Sequence, residues 1–392
     1  VEQTCLSLVP VSGGKPVNLT SDFDGGISSQ TADSFFWGSD SGTIYFGSIQ
    51  GVRRQLFRLD VNRRSVEPLS SGDQVCFGFS MSADRKTMVL MIDRATMPAD
   101  LFVTSTDVFK PRGLTELNPY LRDRQFGKVT AVLWKSKDGT PVEGTLIHPV
   151  DYKPGKCYPL VTYLHGGPTG GFKLGFSPSS APAVQVQYCP VQVLAAAGFA
   201  VLCPNPRGSD GYGHDFRSAF YQDWCEGDYE DVMTGIDHLI EVGLADPDRL
   251  AITGYCYGAY LSACALTKTN RFKAASMGAC FANLYALHGQ SDLPSSLEAY
   301  LGDVPWKARE HYERHSPIFE AHKIRTAVLL QHAERDERVP LAQGREMYSV
   351  LKKTEAPVEM IIFPGQGHVI GRPRMQQESM QQNVKWFQRW LQ

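Results

Sequence analysis

Two patterns of apolar and polar residues divide this chain. In the first part, short runs rich in β-branched and aromatic residues alternate with turn signals, and the pattern repeats. Residues 41–46, 55–60 and 66–70 form one set of strand-like runs, and residues 86–90, 100–104 and 111–115 form a second. Phe57 and Phe102, like Leu69 and Leu114, mark equivalent places about 45 residues apart, the span of one four-stranded propeller blade. Residues 6–10 and 17–20 read as the last strands of a third unit. The pattern therefore predicts an incomplete β-propeller of about two and a half blades over residues 1–124. So few blades cannot close a ring, and they leave sheet edges and apolar faces uncovered. The chain begins at Val1, inside a blade. The expectation is that an N-terminal portion is missing, has been cleaved, or is replaced by another copy, so association with that portion or homo-oligomerisation is the expected partnership. The alternative is a small irregular β-domain capping the second part.

From about residue 125 the period changes. Residues 129–134 and 142–147 read as strands around the turn Lys137-Asp138-Gly139. Tyr158-Pro-Leu-Val-Thr-Tyr-Leu164 is a continuous apolar run of the kind buried on both faces of a sheet. Residues 191–197 read as helix, 199–203 as strand, and 228–242 as an amphipathic helix with Val232, Ile236, Leu239 and Ile240 on one face. Strand-like runs at 250–253, 274–278, 326–330 and 358–363 follow, with helices between them and a last helix ending at Leu391. Strand alternating with helix predicts a doubly wound α/β domain over residues 125–392, its mostly parallel sheet covered on both faces.

Composition narrows the function classes. The 392 residues are 42% hydrophobic and 20% charged, enough for a large core. A formal net charge of −2 gives no electrostatic case for nucleic acid or an anionic membrane. No apolar run approaches the roughly 18 residues of a membrane span. Nine cysteines lie scattered, and Cys203, Cys256, Cys264 and Cys280 sit in apolar surroundings, as reduced core cysteines do. That predicts a reducing, cytoplasmic location. With no metal-ligand spacing and no nucleotide-binding glycine loop, neither metal nor cofactor is expected.

The chemistry centres on Gly254-Tyr-Cys-Tyr-Gly258, between a predicted strand and a predicted helix. This is the Gly-x-nucleophile-x-Gly pattern of a nucleophile elbow, with a thiol in the nucleophile position. The helix dipole behind Cys256 favours its thiolate. Asp336 and His368 each follow a predicted strand, and the order nucleophile, acid, histidine is that of an α/β-hydrolase. His165-Gly166-Gly167 resembles the His-Gly-Gly loop of lipases and esterases, so the N–H groups of Gly166 and Tyr257 are the expected oxyanion donors. Taken singly, each feature has a plainer explanation: a core cysteine, a helix cap, a surface histidine, a glycine turn.

Cys203-Pro-Asn-Pro-Arg-Gly-Ser-Asp-Gly-Tyr-Gly213, then Phe216, Asp223-Trp224 and Gly227-Asp228, resemble a characteristic run of the prolyl oligopeptidase family. Asp246-Pro-Asp-Arg-Leu250, Ser316-Pro317, Arg338-Val-Pro340 and Gly367-His368 match it as well, most closely in the branch of acylaminoacyl peptidases and dipeptidyl-peptidase-like enzymes. The resemblance spans about residues 126–392 and implies a seven-bladed propeller ahead of an α/β-hydrolase domain. By matching position it implies a triad of Cys256, Asp336 and His368 with Gly166 and Tyr257 as oxyanion donors. The chain departs from the family in three ways: Cys256 replaces the serine, Cys225 and Ala259 replace glycines, and the propeller is incomplete. A glycine-flanked cysteine also resembles dienelactone hydrolases, whose single domain leaves the blade repeats unexplained.

A thiol changes the expected outcome. In a tetrahedral intermediate formed on Cys256 the thiolate is a better leaving group than an amine, so esters and thioesters react more readily than amides. The expected function is acyl transfer through a Cys256 thioester, ending in hydrolysis, transfer or ring closure on a peptide or acyl small molecule. A serine peptidase whose nucleophile has been exchanged for cysteine, and a non-catalytic interaction module, are the alternatives. Arg207 and Tyr212 in the 205–213 loop, and Tyr285 in the 281–296 stretch, also read as a loop, beside His288 and Asp292, are the expected substrate contacts.

Overall fold

The structure is a computed structural model that describes residues 4–27, 35–176, 178 and 188–392. Its first part holds a short hairpin, β1 (Ser7–Leu8) with β2 (Val17–Asn18), and two four-stranded antiparallel meanders. One meander is β3 (Phe36–Trp37), β4 (Thr43–Gln50), β5 (Arg53–Asp60) and β6 (Ser65–Pro68). The other is β7 (Val75–Met81), β8 (Thr87–Arg94), β9 (Met97–Ser105) and β10 (Arg112–Gly113). Phe57 and Phe102 occupy the same place in each, on the third strand, opposite Phe46 and Leu90. The meanders join through a parallel bridge between Arg54 and Val75. One apolar cluster packs Leu6 and Leu19 against Ile44, Phe46, Phe57 and Leu59, and a second packs Leu56 against Cys76, Met88, Leu90 and Ile92. Among the described residues the strands form no closed ring.

The second part is an eight-stranded sheet built from β11 (Val129–Lys135), β12 (Pro141–Ile147), β13 (Tyr158–Leu164), β14 (Ala200–Asn205), β15 (Ala245–Tyr255), β16 (Phe272–Gly278), β17 (Ala327–Ala333) and β18 (Val358–Phe363). Their order is β11-β12-β14-β13-β15-β16-β17-β18, with the first two pairings antiparallel and the rest parallel. This is an α/β-hydrolase sheet. Every residue of β13 and β17 is buried, as befits strands inside a sheet covered on both faces. The described helices are α1 (Val191–Ala196), α2 (Gly213–Ser218), α3 (Gly227–Glu241), α4 (Tyr257–Lys268), α5 (Leu284–Gln290), α6 (Pro294–Leu301), α7 (Arg309–Arg314), α8 (Leu341–Leu351) and α9 (Pro373–Leu391).

Two expectations need correction. The 281–296 stretch, read as a loop, contains α5 and the start of α6: the Asn283 side chain caps α5 by accepting from the Ala286 N–H, and Pro294 opens α6. Cys264, read as a reduced core thiol, is disulfide-bonded to Cys225, with Cα atoms 5.7 Å apart. Apolar surroundings suit a half-cystine as well as a thiol, so the sequence-based argument for a reducing compartment loses its footing. No helix of the described residues is long and apolar enough to cross a membrane.

Candidate active site

The turn between β15 and α4 holds Cys256 at φ 57° and ψ −119°, a sparsely populated conformation that costs about 1–3 kcal/mol. The surroundings dictate it. A Cβ on Gly254 would lie 2.2 Å from the backbone of Gly258, and one on Gly258 would lie 2.1 Å from the Leu164 carbonyl oxygen. Strand and helix therefore approach so closely that only glycine fits on either side of the cysteine. The Cys256 N–H donates to Gly278 O (2.9 Å), and its carbonyl accepts from Ala259 and Tyr260 (both 3.0 Å), which begins α4 directly behind the thiol.

Three loops at the carboxyl ends of strands bring partners to the sulfur. His368, after β18, meets the thiol on one side, and its Nδ1 lies 2.8 Å from Asp336 Oδ2. Asp336, after β17, is buried; its Oδ1 accepts the N–H groups of Arg338 (3.0 Å) and Val339 (2.8 Å), which leaves Oδ2 for the histidine. The Tyr255 hydroxyl donates to the His368 carbonyl (2.5 Å) and ties that loop to β15. The backbone N–H groups of Gly167 and Tyr257 also act on the sulfur and favour its thiolate.

Electrostatics follow from this arrangement. Burial pushes the Cys256 thiol up, but the adjacent His368 charge and hydrogen bond, with the Gly167 and Tyr257 N–H groups, outweigh it and hold the thiol below its ordinary value. Burial works against the His368 imidazolium, yet the Cys256 thiolate and the Asp336 carboxylate together raise it to about 10. The site is therefore built to hold a thiolate beside an imidazolium.

Of the residues expected from sequence, Cys256, Asp336, His368 and Tyr257 come together. The loop N–H that acts on the thiol is that of Gly167 and not Gly166, and Gly167 takes a left-handed conformation there (φ 52°). The loop is braced by His165, whose Nε2–H donates to Ser209 Oγ (2.9 Å), itself donating to Pro206 O (2.6 Å). Burial lowers His165 to about 4, so it stays neutral.

Two expected substrate contacts are structural instead. Arg207 is occupied by the fully buried Asp231, with bonds of 2.8 Å and 3.0 Å, and by Asp138 at 3.0 Å. Tyr212 donates to Glu143 (3.0 Å) and accepts from Asn205 (2.8 Å); Glu143 also accepts the Val52 N–H (3.0 Å), so this network joins the two parts of the chain. Tyr285 stands exposed on α5 with its ring edge-on to Tyr312. Sequence reasoning also missed Arg338, which pairs with Asp292 (2.6 Å) at the rim, where the Cys256 and Asp336 charges reach it. Its place two residues after Asp336 was the available signal.

Relatives place this geometry in context. The chain is 29% identical over 362 residues to an uncharacterized peptidase, YuxL, of Bacillus subtilis, covering 90% of this chain and 51% of that protein. It is 30% identical over 246 residues to an acylamino-acid-releasing enzyme of Arabidopsis thaliana, covering 60% of this chain and 31% of the relative. An acylaminoacyl peptidase of Pyrococcus horikoshii superposes with a TM-score of 0.83 at 25% identity, over 97% of this chain and 58% of that one. The chain thus spans about half the length of the first of these curated relatives. Residues 185–392, which include the elbow, Asp336 and His368, match the model of the prolyl oligopeptidase family, and the chain belongs to that family.

Proposed function

We propose that this chain carries the acyl-transfer site of a peptidase-like hydrolase acting on acylated or short peptides, with Cys256 as nucleophile. One observation carries the reading: Asp336 lies 2.8 Å from His368 Nδ1, and His368 in turn acts with the Gly167 and Tyr257 N–H groups to favour the Cys256 thiolate. The thiolate attacks an acyl carbon, and the Gly167 and Tyr257 N–H groups stabilise the oxyanion that forms. His368 protonates the leaving group and then activates the acceptor, with Asp336 holding its tautomer. Amine expulsion competes with return of the thiolate, so ester and thioester substrates turn over faster than amides. The relatives named as acylamino-acid-releasing enzymes and dipeptidyl-peptidases suggest the substrate class. In the same proposal, residues 1–124 are blades of a propeller that further blades or a second copy complete, and residues 125–392 are the catalytic domain.

A second reading is favoured by those relatives: the scaffold is that of a serine peptidase, and cysteine has taken the serine's place. Incubation with p-nitrophenyl acetate, followed by peptide mass mapping, tests the shared geometry. An acetyl adduct on Cys256 is expected; its absence in protein whose Cys256 still reacts with iodoacetamide refutes nucleophilic catalysis. Anilide hydrolysis by Cys256→Ser then separates the two readings. A gain over the parent favours the serine scaffold, and a loss favours a native thiol.

A further inference from the structure

Behind the elbow, Tyr257 projects away from the thiol into an aromatic enclosure. The Trp224 ring meets it edge-on at 4.8 Å, Tyr260 lies at 5.4 Å and Phe220 at 6.4 Å. A phenol hydroxyl buried among rings needs a polar partner. It has one, in that the Tyr257 hydroxyl donates to Asp228 Oδ2 at 2.5 Å. Asp228 is completely buried, and its Oδ1 accepts the N–H of its neighbour Tyr229 (2.8 Å).

We propose that Asp228 is a positioning residue for this site, holding the Tyr257 side chain so that the Tyr257 N–H stays aimed at the reacting centre. The inference rests on the reading of Cys256 as nucleophile. Three observations support it. An acid in the first turn of α3 could favour the helix dipole from the surface, but Asp228 is buried near Asp223 and Asp231, where a carboxylate is costly. Burial pushes it up to about 7, against the Tyr257 and Tyr229 bonds that lower it.

The frame holding Asp228 is also rigid. The 224–228 segment is fastened by the Cys225–Cys264 disulfide to α4 itself, by the ring nitrogen of His315 to Trp224 O (2.7 Å), and by Lys268 to Glu226 (3.0 Å). Finally, Tyr257 is the first residue of α4, so its N–H has no helical partner and its direction depends on how the residue is seated. Strand β15 holds Cys256 from one side, and Asp228 holds Tyr257 from the other.

Two reactions of the same thiol separate this role from general structural support. Acylation by p-nitrophenyl acetate passes through an oxyanion, whereas alkylation by iodoacetamide does not. In Tyr257→Phe and Asp228→Asn, compared at a pH where the thiolate is fully formed in each protein, acylation of Cys256 is expected to slow by about tenfold or more while alkylation stays within about twofold of the parent. Tyr257→Phe removes a single oxygen atom and keeps the test open should Asp228→Asn fail to fold. Equal slowing of both reactions, or of neither, overturns the positioning role. A parent protein that alkylates but does not acylate removes the nucleophile reading together with this one.

Discussion

Replacing Asp336 by asparagine should narrow the pH range over which the Cys256–His368 ion pair exists, and from both ends. In the parent the thiol is held below its ordinary value and His368 is raised to about 10, so the thiolate–imidazolium pair forms as pH rises past the lowered thiol value and disappears as pH passes about 10. Asp336 contributes the 2.8 Å bond to His368 Nδ1. The shorter-range geometry survives the exchange, because an asparagine side chain can still accept from the Arg338 and Val339 N–H groups and the loop keeps its shape. Its amide would either turn a donor toward Nδ1 or offer a neutral acceptor, and in both cases the imidazolium loses its anionic partner. A hydrogen bond to a charged group is worth about 1.5–3 kcal/mol, which is roughly a ten- to hundredfold loss in the ion-pair equilibrium. The thiol value should therefore rise and the imidazolium value fall. The assay for the acid boundary is the rate of iodoacetamide alkylation of Cys256 against pH, supported by thiolate absorbance, and the pH dependence of the His368 ring NMR signals reads the alkaline boundary. Superimposable profiles for parent and Asp336→Asn, with both proteins folded, would refute the reasoning.

Three further outcomes follow from packing and charge. Gly258→Ala places a Cβ 2.1 Å from the Leu164 carbonyl oxygen, so stability should fall by about 3 kcal/mol or more, read as a drop in denaturant midpoint. Arg207→Ala strands the buried Asp231, and a loss of about 3–5 kcal/mol in stability is expected with KM for an ester unchanged; a raised KM without loss of stability would return Arg207 to the substrate site. The Cys225–Cys264 bond closes a separation of 39 residues, so the Cys225→Ser/Cys264→Ser double variant should lose about 4 kcal/mol by the chain-entropy estimate, measured by urea unfolding without reductant.

Much of the architecture was legible in the residues because it depends on local periodicity. The run Tyr158-Pro-Leu-Val-Thr-Tyr-Leu164 announces a strand buried on both faces, and glycines at 254 and 258 announce a turn with no room for side chains. The spacing of Phe57 and Phe102 likewise reported two equivalent antiparallel meanders. The nearness of Cys256, Asp336 and His368 was legible only as chain order after successive strands. Order becomes proximity once a parallel sheet brings those carboxyl ends to one edge.

What the residues left open are matters of a few ångströms and of partners far apart in sequence. Gly166 and Gly167 are indistinguishable by pattern, and only the folded loop sets the Gly167 N–H against the thiol. Arg207 has the chemistry of a substrate anchor, yet Asp231 lies 2.8 Å away because β14 and α3 pack together. Cys264 has apolar neighbours in sequence whether or not Cys225 approaches it. Sequence by itself determined the elements, their order and the chemistry on offer, since these depend on side-chain type and period. Tertiary structure decided which groups are spent on one another and which remain at the sulfur, because hydrogen bonds and ion pairs depend on distance in space.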